Sequence, residues 1–234
     1  MTTEIRKVVV ENTQMRVAYP YTRLNETVVR EILEGKAYPL PPLASGIAIE
    51  RIADIGAHIG TAAVWFHHLW PNAQIHCFEP SLESVEFLKT NSSFAQFHPY
   101  ALAGEDRQAK LFKPGQGTVL NSLKGNEGDF ELVDCHRASE LCQLKPDLIK
   151  LDTEGCELEI ICEALPAFLA AKVLYLEYHN WHDRVQIEHL IQASTDKRKK
   201  ILFSASVGWT INRGELAYID RDAIDPKTLT QWAL

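Results

Sequence analysis

A carboxylate and two glycines at fixed spacing are the first residues in this chain that could do chemistry. Asp54, Gly56 and Gly60 stand in the stretch Arg-Ile-Ala-Asp-Ile-Gly-Ala-His-Ile-Gly, residues 51–60, where a short apolar run ends before a predicted helix from Thr61. Glycine permits the tight turns and the close approach of backbone to ligand that such a junction needs. We therefore predict a cofactor loop that lies over a helix N-terminus.

The spacing indicates the charge of that cofactor. A dinucleotide fingerprint, Gly-x-Gly-x-x-Gly, places a pyrophosphate on the helix dipole and would need glycine where this chain has His58 and Thr61. The carboxylate of Asp54 would repel a phosphate, whereas it can accept a hydrogen bond from an ammonium group or from water beside one. The pattern therefore favours a zwitterionic cofactor that carries a cationic group.

A second carboxylate follows the next predicted strand. The stretch Gln74 to Phe78 suits a short strand and ends in Glu79-Pro80. A carboxylate at such a strand tip can accept two hydrogen bonds from a ribose diol. The loop and this tip together predict a nucleoside pocket. The predicted cofactor-binding residues are Asp54, Gly56, Ala57, His58, Gly60, Glu79 and Pro80.

Three motifs in this order carry a family resemblance. They are Asp54-Ile-Gly-Ala-His-Ile-Gly60, Cys77-Phe-Glu-Pro80 and Leu148-Ile-Lys-Leu-Asp-Thr-Glu-Gly-Cys-Glu-Leu-Glu159. With them the chain resembles class I S-adenosylmethionine-dependent methyltransferases, and more narrowly the FkbM family, over about residues 50–180. The resemblance implies S-adenosylmethionine as the cofactor and, as methyl acceptor, a hydroxyl on a sugar, polyketide or other specialised metabolite. The family usually has Asn where this chain has His58.

The residues predicted for catalysis stand at the tips of the fourth and fifth strands. Asp152 and Glu154 alternate out of one strand, so they face one side. Glu177 and His179 alternate out of the next strand in the same way. An acceptor hydroxyl must be held in line with the sulfonium and must lose its proton, for which a neutral His179 is the predicted base.

The other residues at these tips have predicted roles around that base. Asp152 orients the acceptor hydroxyl or takes the proton itself, and Glu154 and Glu177 contact the substrate. The alternative for His179 is a hydrogen-bonded histidine at a strand end. Asn121 and Ser122 are further candidates for substrate binding, because an Asn-Ser-Leu segment is similar to one in the FkbM family; the alternative is a surface hairpin turn.

The same carboxylates could serve either as metal ligands or as hydrogen-bond acceptors. Asp152, Glu154 and Glu177 could hold a hard divalent cation such as magnesium, but carboxylates at strand tips also serve as plain hydrogen-bond acceptors. The sequence prediction is that no metal is bound. The 5 cysteines include no Cys-x-x-Cys pair, which argues against a zinc site and a disulfide framework.

Length and alternation predict the architecture. The 234 residues suit an α/β domain with a doubly wound, Rossmann-like, mostly parallel seven-stranded sheet and one antiparallel edge strand. Residues 46–234 form this predicted methyltransferase-like domain, and residues 1–45 form a hairpin and helix extension. The extension either covers the cofactor, shapes the acceptor pocket or serves as an oligomerisation arm.

Composition predicts the partners. The net charge of -7 argues against nonspecific attraction to nucleic acid. The sequence contains no apolar stretch long enough to span a bilayer, so we predict a cytoplasmic protein that acts on a small-molecule acceptor; whether it forms a homo-oligomer stays open. Two other functions stay open: use of S-adenosylmethionine for internal displacement or lysis, and a non-catalytic assembly protein that binds the cofactor.

Overall fold

The computed structural model describes residues 3–10, 13–41, 46–113, 121–124, 128–193, 200–207 and 213–224. The strands are β1 Thr3–Val10, β2 Thr13–Pro20, β3 Arg51–Ile55, β4 Gln74–Phe78, β5 Gln96–His98, β6 Ala101–Ala103, β7 Arg107–Lys113, β8 Asp129–Arg137, β9 Leu148–Leu151, β10 Val173–Tyr178, β11 Lys200–Val207 and β12 Gly214–Asp220. The α-helices are α1 Arg23–Leu33, α2 Thr61–Leu69, α3 Leu82–Asn91, α4 Leu141–Leu144, α5 Glu157–Glu163, α6 Leu165–Ala170 and α7 Trp181–Ala193.

The main sheet confirms the predicted seven-stranded, mostly parallel architecture. Its order is β11-β12-β10-β9-β3-β4-β5, and β12 pairs antiparallel with both of its neighbours. The antiparallel strand was predicted at the edge, and this detail is wrong. The chain goes out to β11 at the edge and then returns, so that β12 fills the position between β11 and β10.

Hydrophobic clusters cover both faces of this sheet. Ile52 packs in one cluster with helix α2, whereas its neighbour Ala53 packs in the other with helix α5. Successive strand side chains face opposite sides, so a strand between two helix layers is apolar on both faces. The sheet is therefore doubly wound, and the carboxyl ends of its parallel strands meet at one edge.

The N-terminal hairpin and α1 share the core of the main domain. Val17 of β2 and Leu33 of α1 are both fully buried in the cluster that contains Ile52. The Asn91 side chain at the end of α3 accepts from the Ala18 N–H and donates to the carbonyls of Ala18 and Ile59, each at 2.8 Å. The boundary at residue 45 stays a prediction, and the core is continuous across it.

The sequence predicts a third strand over Gln96 to Leu102, and the structure differs from this prediction. The chain leaves the main sheet after β5, and β6 belongs to a separate three-stranded sheet with β7 and β8. Pro99 between the two has no N–H to donate to a ladder, which explains the break. The polar segment Gly115 to Lys124 predicts an excursion beside the site, and residues 115–120 of that segment lie outside the described residues.

Candidate active site

The predicted cofactor loop connects β3 to α2 at the carboxyl edge of the sheet. The backbone turns through positive φ at Gly56 (φ 72), His58 (φ 51) and Gly60 (φ 85). The N–H groups of Gly56 and Ala57 each donate to the Phe78 carbonyl at 3.0 Å. The loop is thus fixed to the end of β4, and it brings the start of α2 over that edge.

Glu79 fixes the loop from the other side. Its carboxylate accepts from the His58 N–H and from the Ser81 N–H, both at 2.8 Å. Burial raises the pKa of the Glu79 carboxyl to about 7, and the two N–H donors oppose that rise. Each carboxylate oxygen keeps a second lone pair for a ligand. Glu79 is therefore able to hold the loop and to accept from a ribose diol at the same time.

Asp54 lies beneath the loop beside a buried cation. Its carboxylate has 0% side-chain exposure, and Oδ1 is 3.2 Å from Lys150 Nζ. The same ammonium group donates to the Gly56 carbonyl and lies 3.7 Å from Asp152 Oδ2. Burial raises the pKa of Asp54, and Lys150 opposes that rise. Lys150 therefore links the cofactor loop to the acceptor end of the site.

A large cleft opens above these residues. Its volume is about 1030 Å³. Most of the predicted site residues line it: Gly56, Ala57, His58, Glu79, Pro80, Asn121, Ser122, Asp152, Glu154 and Glu177. Asp54, Gly60 and His179 are not among the lining residues. Asn121 and Ser122 thus face the cleft, and the Ser122 hydroxyl donates to the Glu154 carbonyl at 2.6 Å.

Carboxylates surround His179 at the end of β10. Its Nε2 lies 3.1 Å from Glu154 Oε2 and 3.5 Å from Glu177 Oε1, and its Nδ1 lies 3.1 Å from Glu157 Oε1. The close contacts with these carboxylates raise the pKa of His179 to about 11 against the opposing effect of burial. The predicted neutral imidazole therefore does not fit this environment, in which the ring holds a proton at neutral pH.

The carboxyls on the cleft floor differ in charge. Lys150 lowers the pKa of Asp152 to about 2 despite burial, so Asp152 is ionised. Burial and the nearby Asp152 charge hold the pKa of Glu177 well above its usual range. Glu215, which faces Glu177 across the β10–β12 ladder, has a pKa raised to about 7 by burial. One fixed anion therefore lies beside two carboxyls that can hold protons.

Four residues of the site were not predicted. Lys150, Glu215 and Arg213 line the cleft, and Arg213 pairs with Glu154. Tyr38, from the extension, is buried and lines it as well. The lysine in the Leu-Ile-Lys-Leu-Asp run is a usable signal, because a charge in an apolar strand requires a buried partner.

A comparison with models of protein families identifies the family of this chain. The model described as the methyltransferase FkbM domain matches residues 54–203, which is more than half of the chain. The chain belongs to the FkbM methyltransferase family. Membership confirms the predicted family and S-adenosylmethionine as the cofactor. No curated protein matches the chain at a significant level.

Solved structures support the fold of this FkbM protein. Aeropyrum pernix fibrillarin, in complex with natively bound S-adenosyl-L-methionine, aligns with a TM-score of 0.51 and 10% identity over 92% of this chain and 82% of that chain. The precorrin-6y C5,15-methyltransferase of Geobacter metallireducens aligns with a TM-score of 0.44 and 13% identity over 82% of this chain and 87% of that chain. At such identities the likeness concerns the fold alone.

The residues at the cofactor end of the FkbM site fit this cofactor. The Thr61 hydroxyl, at the first residue of α2, is buried without a hydrogen-bond partner among the described residues and belongs to the lining of the cleft. Glu79 offers acceptors for a diol, and a helix N-terminus suits a carboxylate. In the described part of the chain, none of the helices has the length and apolar character needed to cross a bilayer.

Proposed function

We propose that this protein methylates a hydroxyl of a small molecule, such as a sugar, polyketide or other specialised metabolite. The ionised Asp152 on the floor of a cleft that also contains the cofactor loop carries this proposal. S-adenosylmethionine, when bound, supplies an electrophilic methyl group. The cytoplasmic location and the absence of nucleic acid partners remain predictions from composition.

The protein's own task at the cofactor end is binding and orientation. Glu79 accepts from the ribose hydroxyls while its bonds to His58 and Ser81 hold the loop in place. Asp54 and Lys150 fix the loop from below through their ion pair. Rigid anchoring of this kind favours catalysis because displacement at a methyl group depends on near-attack alignment.

At the acceptor end the proton of the hydroxyl goes to Asp152. This carboxylate is an acceptor at neutral pH, because Lys150 keeps it ionised. It orients the hydroxyl by accepting its hydrogen bond and receives the proton as the oxygen gains its methyl group. His179, which is held among carboxylates, positions Glu154 and Glu177 in this proposal. Tyr38 closes the acceptor end from the extension.

Replacing Asp152 by asparagine tests the role of this carboxylate. We expect Asp152→Asn to lower kcat about 100-fold, because the amide keeps the size of the side chain but cannot take the proton. Hydroxylated metabolites are first screened as acceptors by mass spectrometry for addition of a methyl group. Binding of S-adenosylhomocysteine, followed by calorimetry, should remain within a few-fold of the parent. An unchanged kcat would contradict the assignment.

The affinity for the cofactor should depend on pH through Glu79. The ionised carboxylate accepts from two ribose hydroxyls, whereas the protonated form loses one acceptor position. Because the pKa of Glu79 is about 7, protonation weakens binding as the pH falls through neutrality. We expect binding of S-adenosylhomocysteine to be about tenfold weaker at pH 6 than at pH 8.

Glu79→Gln is the matched control for this pH dependence. The variant has no titrating group at position 79, so its affinity should be lower than that of the parent and should not vary between pH 6 and pH 8. A parent affinity that is constant across this range would show that Glu79 does not contact the ligand in its ionised form. Calorimetry in buffers of matched ionic strength provides the measurement.

A further inference from the structure

The surroundings of His179 differ from those of an ordinary hydrogen-bonded histidine. Its side chain is 8% exposed, and neither ring nitrogen makes an aligned hydrogen bond with any described residue. Nε2 nevertheless has Glu154 Oε2 at 3.1 Å. Buried polar atoms normally have aligned partners. A short contact without that alignment leaves Nε2 and Oε2, which also accepts from Arg213, open to a shared third atom.

The donor atoms around this point have the spacing of a coordination sphere. One donor atom from each of Asp152, Glu154 and His179 lies within 4.8 Å of the other two. Two ligands about 2.1 Å from one ion, at an angle of about 90°, are about 3.0 Å apart, and neither then points directly at the other. The contact between His179 Nε2 and Glu154 Oε2 has this geometry.

A buried carboxylate lies behind the histidine. Glu157 is fully buried, and its Oε1, 3.1 Å from His179 Nδ1, accepts from the N–H groups of Thr153 and Gly155. A ligating histidine commonly has a fixed carboxylate at its second ring nitrogen, which sets the orientation of the ring. Arg213 contacts Glu154 and holds that carboxylate in the same way. Glu157 therefore lies at the place that an outer partner of a metal-bound histidine takes, at contact distance from Nδ1 but not in aligned hydrogen-bond geometry.

We propose that Asp152, Glu154 and His179 bind one divalent cation at the acceptor end of the cleft. Two carboxylates and one imidazole suit a first-row ion such as Mn²⁺ better than Mg²⁺, which prefers oxygen alone. The donor set differs from the one weighed in the sequence, because His179 replaces Glu177. The ion takes the place of the proton on Nε2 and supplies the positive charge that the surrounding carboxylates require.

The site has a consequence for the acceptor. Three protein ligands leave positions on the ion for two neighbouring oxygens, so the geometry points to an acceptor with vicinal hydroxyls. Coordination would lower the pKa of a bound hydroxyl, and its proton would pass to solvent or to the oxygen of Asp152 that does not bind the ion. This second step rests on the proposed methylation of a hydroxyl, whereas binding of the ion does not.

Titration with Mn²⁺ alone tests the site. The full chain is treated with a chelator, and the signal of free Mn²⁺ is followed by electron paramagnetic resonance as protein is added. We expect one ion per chain in the parent. His179→Gln and Glu154→Gln should each weaken binding about 100-fold or more, since loss of outer partners alone costs 10 to 100-fold. Glu86→Gln, which removes an exposed carboxylate from α3, should bind Mn²⁺ like the parent.

Binding of S-adenosylhomocysteine by each variant distinguishes specific loss of the metal site from loss of the fold. A variant that retains this binding but loses Mn²⁺ supports the metal site. A parent that leaves the Mn²⁺ signal unchanged, or ligand variants that bind Mn²⁺ as tightly as Glu86→Gln, would overturn it. Failure of the proposed methyltransferase function is recognised separately, because the parent would then bind Mn²⁺ but transfer no methyl group to any hydroxylated acceptor.

Discussion

Lys150→Met should lower the free energy of unfolding by about 3 to 5 kcal/mol, because it leaves the buried charge of Asp54 without its cation. The Lys150 side chain is 4% exposed and lies 3.2 Å from Asp54 Oδ1. Methionine has a similar length and no charge, so the change removes the ion pair with little change in packing. Urea denaturation at pH 7.5 provides the measurement.

Two controls make this prediction specific. Lys89→Met removes a lysine that is 54% exposed and pairs with Glu86 on the surface, so its effect should be below about 1 kcal/mol. The double variant Asp54→Asn/Lys150→Met should regain much of the stability lost in Lys150→Met, since position 54 then carries no buried charge. A Lys150→Met protein as stable as Lys89→Met would show that the pair is not needed.

The pKa of Asp54 determines how the stability loss in Lys150→Met varies with pH. Burial raises the pKa of Asp54 in the folded protein, and without Lys150 nothing among its described neighbours opposes that rise. A group with a raised folded pKa binds more protons in the folded state, and the stability it contributes is lost as the pH rises through that pKa. Lys150→Met should therefore lose more stability relative to the parent at pH 8 than at pH 5.

Gly56→Ala should lower the free energy of unfolding by about 2 to 5 kcal/mol and prevent cofactor binding. A Cβ at this position would lie 1.7 Å from the Asp152 carbonyl oxygen, and the backbone has φ 72, which L residues rarely adopt. The end of β9 would have to move away from the loop, and the carboxylate of Asp152 would move with it. Urea denaturation and calorimetry with S-adenosylhomocysteine measure the two effects.

Gly46→Ala is the matched control for this substitution. A Cβ at Gly46 would have nothing within 4 Å, and its φ is not in the positive region. We expect its stability to be within about 0.5 kcal/mol of the parent and its cofactor affinity to be unchanged. Equal effects at the two positions would mean that the close approach of β9 to the loop does not constrain residue 56.

The sequence predicts the cofactor end of this protein well because its signals are local. Helix α2 and strand β4 have the predicted bounds, and the glycines of the loop adopt positive φ. Each of these features depends on neighbouring residues: an apolar run, a turn and a helix start. The polar tips of β9 and β10 were also predicted to converge, because parallel strands end at one edge of a sheet.

The acceptor end was harder to predict because its interactions are distant in sequence. Lys150 pairs with Asp54, which lies 96 residues before it in the chain, and Tyr38 of the extension lines the cleft. No local sequence pattern predicts either of these contacts. The protonation of His179 depends on its distances to Glu154, Glu157 and Glu177, which no sequence pattern predicts. Strand β8 was missed because its alternation places Phe130 and Leu132 on the exposed face.

The contacts of Asn91 have a consequence for synthesis on the ribosome. This side chain joins β2 to the cofactor loop, and it follows Ala18 by 73 residues. At about 5 to 20 residues per second, translation needs about 4 to 15 s to cover that distance. During this time Met15, Val17 and Tyr19, which are buried in the finished protein, lack the part of their core that α2 and α3 supply. The hairpin therefore completes its packing only after α3 has been synthesised.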